Sequence, residues 1–129
     1  MAERAGERAP GVSTAVDPSA LTYDAQGLVP AVLQDATTHE VLMVGYMNEQ
    51  ALRRTLEIGQ AVFWSRSRQE VWHKGATSGD YVRVHEVTTD CDGDVVLLQV
   101  ELLGSGVCHT GARSCFVEPE GGRPRTVGA

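Results

Sequence analysis

A chain of 129 residues with 42% hydrophobic content is long enough for one domain with a modest core, and it holds no apolar run near the ~20 residues that cross a bilayer. A net charge of −6 excludes nucleic acid as a general partner, because a polyanion needs a basic face, but leaves room for a small anion at a local basic cluster. Three cysteines cannot all pair within one chain, and Met1 to Ala20 has no apolar segment of the kind a secretory signal carries, so reduced thiols in the cytoplasm are expected.

In chain order, residues 1–20 are rich in Ala, Arg, Glu, Gly and Pro and predict a mobile tail. Leu28 to Gln34 and Val41 to Tyr46 are short apolar runs around Asp35 to Glu40, a predicted hairpin with His39 in its turn. Asn48 is the expected N-cap of a helix from Glu49 to about Ile58, with Leu52, Thr55 and Leu56 on its inner face and Gly59 as its stop. Ala61 to Ser65 and Glu70 to His73 follow as strands around a polar Arg66-Ser67-Arg68-Gln69 turn. Tyr81 to Thr89 alternates until Val87 breaks the phase, which predicts a bulge near Glu86. Val95 to Leu103 is the most hydrophobic strand, and residues 119–129 read as a second tail. One helix among six or so strands predicts an α+β, β-rich single domain over residues 21–118.

Chemistry concentrates in three places. Cys91 sits inside Asp90-Cys91-Asp92-Gly93-Asp94, and Cys108 and Cys115 bracket His109-Thr110-Gly111-Ala112-Arg113-Ser114. Soft thiolates select zinc. Three thiolates leave one zinc position free for water, as in a catalytic site; a structural zinc with His109 as fourth ligand is the rival, weakened by the absence of a tight C-x2-4-C knuckle. If the segment is extended, Asp90, Asp92 and Asp94 point to one side, and such close carboxylates need a hard cation such as magnesium or full solvation. An EF-hand fails because Val95 stands where its sixth position demands glycine.

The third place is Trp72-His73-Lys74-Gly75-Ala76-Thr77-Ser78-Gly79. Lys74, Thr77 and Ser78 with two glycines suit a phosphate, with Arg66 or Arg68 assisting, although this is not a Walker A loop. Arg66, Arg68, Lys74 and Arg83 form a basic cluster in an otherwise acidic chain, and Lys74 is its only lysine. An ordinary turn accounts for the same residues.

Together these stretches resemble the phosphoribosyl-AMP cyclohydrolase family. The resemblance runs through Val44-Gly45-Tyr46-Met47-Asn48, Phe63 to Arg68, Trp72 to Gly79, Asp90 to Asp94 and Cys108 to Phe116, in the family's order. It implies an intertwined homodimer with zinc shared between subunits, Cys91 from one and Cys108 and Cys115 from the other, and magnesium on Asp90, Asp92 and Asp94. It also implies hydrolytic opening of the adenine ring of N1-(5-phosphoribosyl)-AMP between N1 and C6, giving the phosphoribosylformimino carboxamide ribotide of L-histidine biosynthesis. His109, beside Cys108, is the expected proton carrier. A zinc nucleobase deaminase attacks similar atoms, but its H-x-E and P-C-x-x-C signature is absent. A non-catalytic zinc-stabilised interaction module is the rival from another class, and it predicts a closed four-ligand zinc.

Overall fold

The computed structural model describes residues 11–128. A five-stranded sheet of order β1-β6-β7-β2-β3 is built from β1 (Ser13–Thr14), β2 (Val29–Asp35), β3 (Val41–Met47), β6 (Val82–Thr89) and β7 (Val96–Leu102). A separate antiparallel hairpin pairs β4 (Val62–Ser65) with β5 (Glu70–His73), and one α-helix, α1 (Glu49–Ile58), lies against β3, β4 and β5. The expected α+β, β-rich single domain is what forms.

Period-two alternation explains which face is buried. Val29, Ala31 and Leu33 of β2 and Val96, Leu98 and Val100 of β7 point inward, and β2 and β7 run parallel with Ala31 opposite Val96. On β6, Val82 and Val84 point inward, and then the register with β7 slips between Val84 and Glu86 so that Val87 is inward too. That is the bulge that the broken phase predicts. Without it Val87 would face solvent.

The helix follows its sequence signals closely. Asn48 Oδ1 accepts from the Ala51 N–H at 2.8 Å, and the Gly59 N–H closes the last turn on the Thr55 carbonyl at 2.9 Å. Ala51, Leu52, Thr55 and Leu56 are buried. Thr55 is the polar member of this face, and its hydroxyl is fully used: it donates to the Ala51 carbonyl at 2.9 Å and accepts from the Val62 N–H at 3.0 Å. One side chain thus fastens the helix to the first residue of β4.

Both expected tails are partly built into the fold. Val12 is 7% exposed and packs in the core, Ser13 and Thr14 pair in parallel with Glu86 and Val87, and the buried Pro18 offers its carbonyl to the Tyr23 hydroxyl at 2.6 Å. At the other end Val117 bridges Pro124, with the Glu118 N–H on the Arg123 carbonyl at 2.7 Å. Gly121 and Gly122, both at positive φ, make the reversal between them. Glycine and proline content suggested loose chain, but here it supplies a turn. Residues 1–10 and 129 lie outside the described residues.

Thr55→Val keeps the shape of the side chain and removes the acceptor used by the Val62 N–H. It is expected to lower stability by about 1–3 kcal/mol, measured by urea unfolding of the purified protein.

Candidate active site

β7 ends at Leu102, and the chain from Leu103 to Phe116 doubles back on itself. The Val107 N–H donates to the Arg113 carbonyl at 3.1 Å, and the Cys108 N–H to the Ala112 carbonyl at 3.3 Å. The Cys115 N–H then docks on the Leu42 carbonyl of β3 at 2.7 Å. Buried Ser114 strengthens that dock, donating to the Val41 carbonyl at 2.9 Å and accepting from the Phe116 N–H at 3.0 Å. This folding brings Cys108 and Cys115 close enough for each thiol to bear on the ionisation of the other.

The two sulfurs are not equivalent. The Thr110 hydroxyl, 3.1 Å from Cys108 Sγ, together with the Thr110 amide holds Cys108 below the ordinary thiol range. Burial, and then the neighbouring Cys108, push Cys115 up. The pair therefore holds one readily lost proton and one held tightly, and a soft cation that displaces both would relieve the conflict. The donor set fits zinc.

Arg113 clamps the loop from outside. Its guanidinium pairs with Asp35 at the end of β2 and donates to Glu40 at 2.8 Å. Asp35 continues the inward phase of β2, is only 8% exposed, and also accepts from the Thr37 and Thr38 N–H groups at 2.8 and 2.9 Å. The Thr38 amide, against the opposing effect of burial, leads in holding its carboxyl below the ordinary range. Sequence reading passed over this network. The available signal was an aspartate at a core-facing strand position.

Cys91 lies elsewhere. It is exposed in the turn between β6 and β7, at the opposite end of β7 from Cys108 and Cys115. Seven strand residues at about 3.3 Å each put roughly 20 Å between the two ends. One chain thus assembles two of the three expected thiols. Asp90, Asp92 and Asp94 do converge, each offering a carboxylate oxygen within 4.8 Å of the others. The means differ from expectation: a turn, not an extended strand, gathers them, with the Asp94 N–H on Asp90 Oδ1 at 3.0 Å. Desolvation opposes ionisation of Asp90, yet hydrogen bonds from Asp94, Val95 and Gly93 prevail and lower it, whereas the hydrogen bond shared with Asp90 raises Asp94. Such a set suits a hard divalent cation.

The basic residues do not form one patch. Arg66 stacks on the Tyr46 ring at 4.0 Å, Arg68 pairs with Glu70 at 3.4 Å, and Arg83 approaches Glu101 at 4.0 Å. Lys74 departs furthest from expectation. It is 8% exposed and donates through Nζ to the Val107 carbonyl at 2.6 Å, instead of standing open beside the exposed Thr77 and Ser78. Gly75 contributes close packing, since a Cβ there would lie 2.5 Å from the Tyr81 amide nitrogen. The Lys74 ammonium also faces the Trp72 ring at 5.3 Å. Trp72, with Tyr46, Phe63, Trp64 and Arg66, lines a groove of about 380 Å³ along β3 and the β4–β5 hairpin. Lys74 therefore joins the groove wall to the loop that carries the thiols. His109 is exposed on that loop, next to Cys108.

A family model described as phosphoribosyl-AMP cyclohydrolase matches residues 43–117. The chain is 58% identical over 109 residues to the phosphoribosyl-AMP cyclohydrolase of Bifidobacterium longum subsp. infantis, covering 82% of this chain and 79% of that one. It is 53% identical over 120 residues to the protein of the same name from Bifidobacterium adolescentis, covering 90% and 87%. The histidine biosynthesis bifunctional protein of Gloeobacter violaceus is 55% identical over 103 residues, 80% of this chain and 47% of the longer relative.

Asp35→Asn is expected to cost about 1.5–3 kcal/mol at neutral pH through its weakened charged hydrogen bonds. Because the folded carboxyl titrates below its ordinary value, its stabilisation is present above the ordinary carboxylate range and lost as pH falls through the folded value. Denaturant unfolding of both proteins should show the gap at pH 7 closing in acid.

Proposed function

The chain belongs to the phosphoribosyl-AMP cyclohydrolase family, hydrolases that act on a cyclic amidine, and we propose that it opens the adenine ring of N1-(5-phosphoribosyl)-AMP in histidine biosynthesis at a zinc centre shared between two subunits. The observation that carries the reading is the pairing of Cys108 with Cys115 beside an aromatic, arginine-edged groove while Cys91 stands at the far end of β7. A second copy of the chain supplies the missing thiol. Cys108 and Cys115 would hold zinc with Cys91 of the partner subunit, and Asp90, Asp92 and Asp94 would hold magnesium. Zinc, when bound, supplies the Lewis acidity that makes water a nucleophile at neutral pH.

The remaining work falls to side chains of this protein. The groove rings of Tyr46, Trp64 and Trp72 offer stacking surface for a purine. Arg66 and Arg68 at the groove rim, with Thr77 and Ser78, supply donors for the two phosphate groups. Lys74 is assigned to the thiol side, where its ammonium offsets thiolate charge. Addition of water at C6 breaks the C6–N1 bond, and the departing N1 needs a proton. His109 takes the proton released from water and returns it to N1. With reduced thiols throughout, the cytoplasm is the compartment that suits this chemistry.

Ring opening is followed directly by the change in ultraviolet absorption of the ribosylated AMP, and a zinc-loaded protein that leaves the spectrum unchanged would refute the assignment. Cys91→Ser and Cys115→Ser proteins should each be inactive. Random subunit exchange should restore about one quarter of wild-type turnover, because half the dimers then carry one intact site of two; verified exchange without recovery would argue against sharing. His109→Ala is expected to keep its zinc and lose about 10²–10⁴-fold in kcat. Metal content measured alongside the rate separates proton transfer from ligation.

A further inference from the structure

Arg125 lies in the segment whose composition suggests a tail, and eight positions beyond the end of the family match. The fold nevertheless carries it to the thiols. The bridge between Val117 and Pro124 turns the chain back, and the Arg125 N–H donates to the Phe116 carbonyl at 3.1 Å. This sets Arg125 beside the residue that follows Cys115. Its Nη2 donates to Thr110 Oγ1 at 2.9 Å and reaches Cys108 Sγ at 3.8 Å, while the Thr110 hydroxyl donates to the same sulfur at 3.1 Å. Nη1 lies 3.8 Å from Glu118 Oε1. Nε is buried and has no hydrogen-bond partner, an arrangement that a merely structural arginine on an open surface would avoid by turning to water.

We propose that Arg125 is a positioning residue for the zinc ligand Cys108, acting directly on the sulfur and through the Thr110 hydroxyl. The inference rests on the reading that Cys108 and Cys115 hold zinc. Its physical basis is charge. Zinc with three thiolates carries a formal charge of −1, which weakens the metal as a Lewis acid. A guanidinium at the edge of one thiolate offsets that negative charge from the Cys108 side, as the Lys74 ammonium does from the Cys115 side. It also polarises the Thr110 O–H, so the hydrogen bond to sulfur strengthens and the thiolate keeps its orientation. Arg suits this better than Lys because Nη2 can address Thr110 and Cys108 while Nη1 stays toward Glu118, which fixes the plane of the guanidinium.

The test uses full-length protein stripped of metal, then titrated with zinc against a chromogenic chelator and with cobalt(II) followed by absorption. Arg125→Met should lower zinc affinity by about 10–100-fold, the range seen when groups that orient metal ligands are removed. It should also move the thiolate-to-cobalt charge-transfer band to longer wavelength, since the sulfur lone pairs lose a stabilising donor. Arg125→Lys should recover part of the affinity, keeping the charge but not the two-point contact. Thr110→Val removes the hydroxyl while leaving the C-terminal hairpin in place; it should reproduce the band shift even where Arg125→Met folds poorly. Wild-type affinity and an unmoved band in Thr110→Val and Arg125→Met would overturn the proposal, as would an Arg125→Met protein altered only in its thermal unfolding. A wild-type protein that binds neither zinc nor cobalt through its thiols would defeat the zinc reading itself, which keeps the two failures apart.

Discussion

The carboxylate of Asp35 ties together parts of the molecule that no strand ladder connects. It closes the β2–β3 turn through two backbone amides and holds Arg113, 78 residues further on, at the base of the thiol loop. Because it occupies a core-facing position, water competes poorly for these bonds, and each is stronger than its surface equivalent. The dock of Cys115 on Leu42 and the folded-back stretch from Val107 to Arg113 both depend on the loop meeting the hairpin at this point. Without that anchor, the loop that carries Cys108 and Cys115 would be held to the rest of the fold by the Cys115 and Ser114 contacts with β3 and by Lys74 on Val107.

The charge balance around those cysteines follows from the same architecture. Cys115 sits on the buried side of the loop, where desolvation favours the neutral thiol, and Cys108 on the side where Thr110 and Arg125 favour the thiolate. Lys74 is fixed between the Trp72 ring and the Val107 carbonyl, so an ammonium stands on the groove side as well. Two cations of an acidic protein, Lys74 and Arg125, thereby stand on either side of the sulfur pair. The one lysine of the chain is buried where a mobile surface ammonium would be of no use.

Much of this was legible in the residues. The apolar runs of β2 and β7, the alternation in β6, the Asn48 and Gly59 helix signals and the broken phase at Val87 each correspond to a local rule, and each appears where that rule puts it. The site was legible as chemistry and less so as geometry. Three thiols, three aspartates and a lysine followed by two glycines and two hydroxyls marked the candidates. The spacing could not show that the loop returns Cys115 to β3, that Asp90 to Asp94 gather by a turn, or that Lys74 is turned inward. The first and last of those facts rest on contacts between distant residues, Cys115 with Leu42 and Lys74 with Val107, and the second on the hydrogen bonds of Asp90 within its own turn. The tails were misread for a related reason. Composition reports how readily a segment folds alone, and Val12 to Thr14 and Val117 to Arg125 are ordered by what they lean on.

The pairing of β2 with β7 has a consequence for how the protein comes to exist. Ala31 meets Val96, 65 positions later, and the thiol loop then returns to Leu42 and Asp35 over comparable separations. Closing such long loops is entropically slow, and contacts of this kind form late. In a zinc finger the metal gathers a short chain that has no other core. Here the sheet must reach its register before two sulfurs face each other at all. A chain caught with β7 out of step would leave this loop undocked, so any metal held on the thiol pair would report on the quality of the finished fold and could not substitute for it.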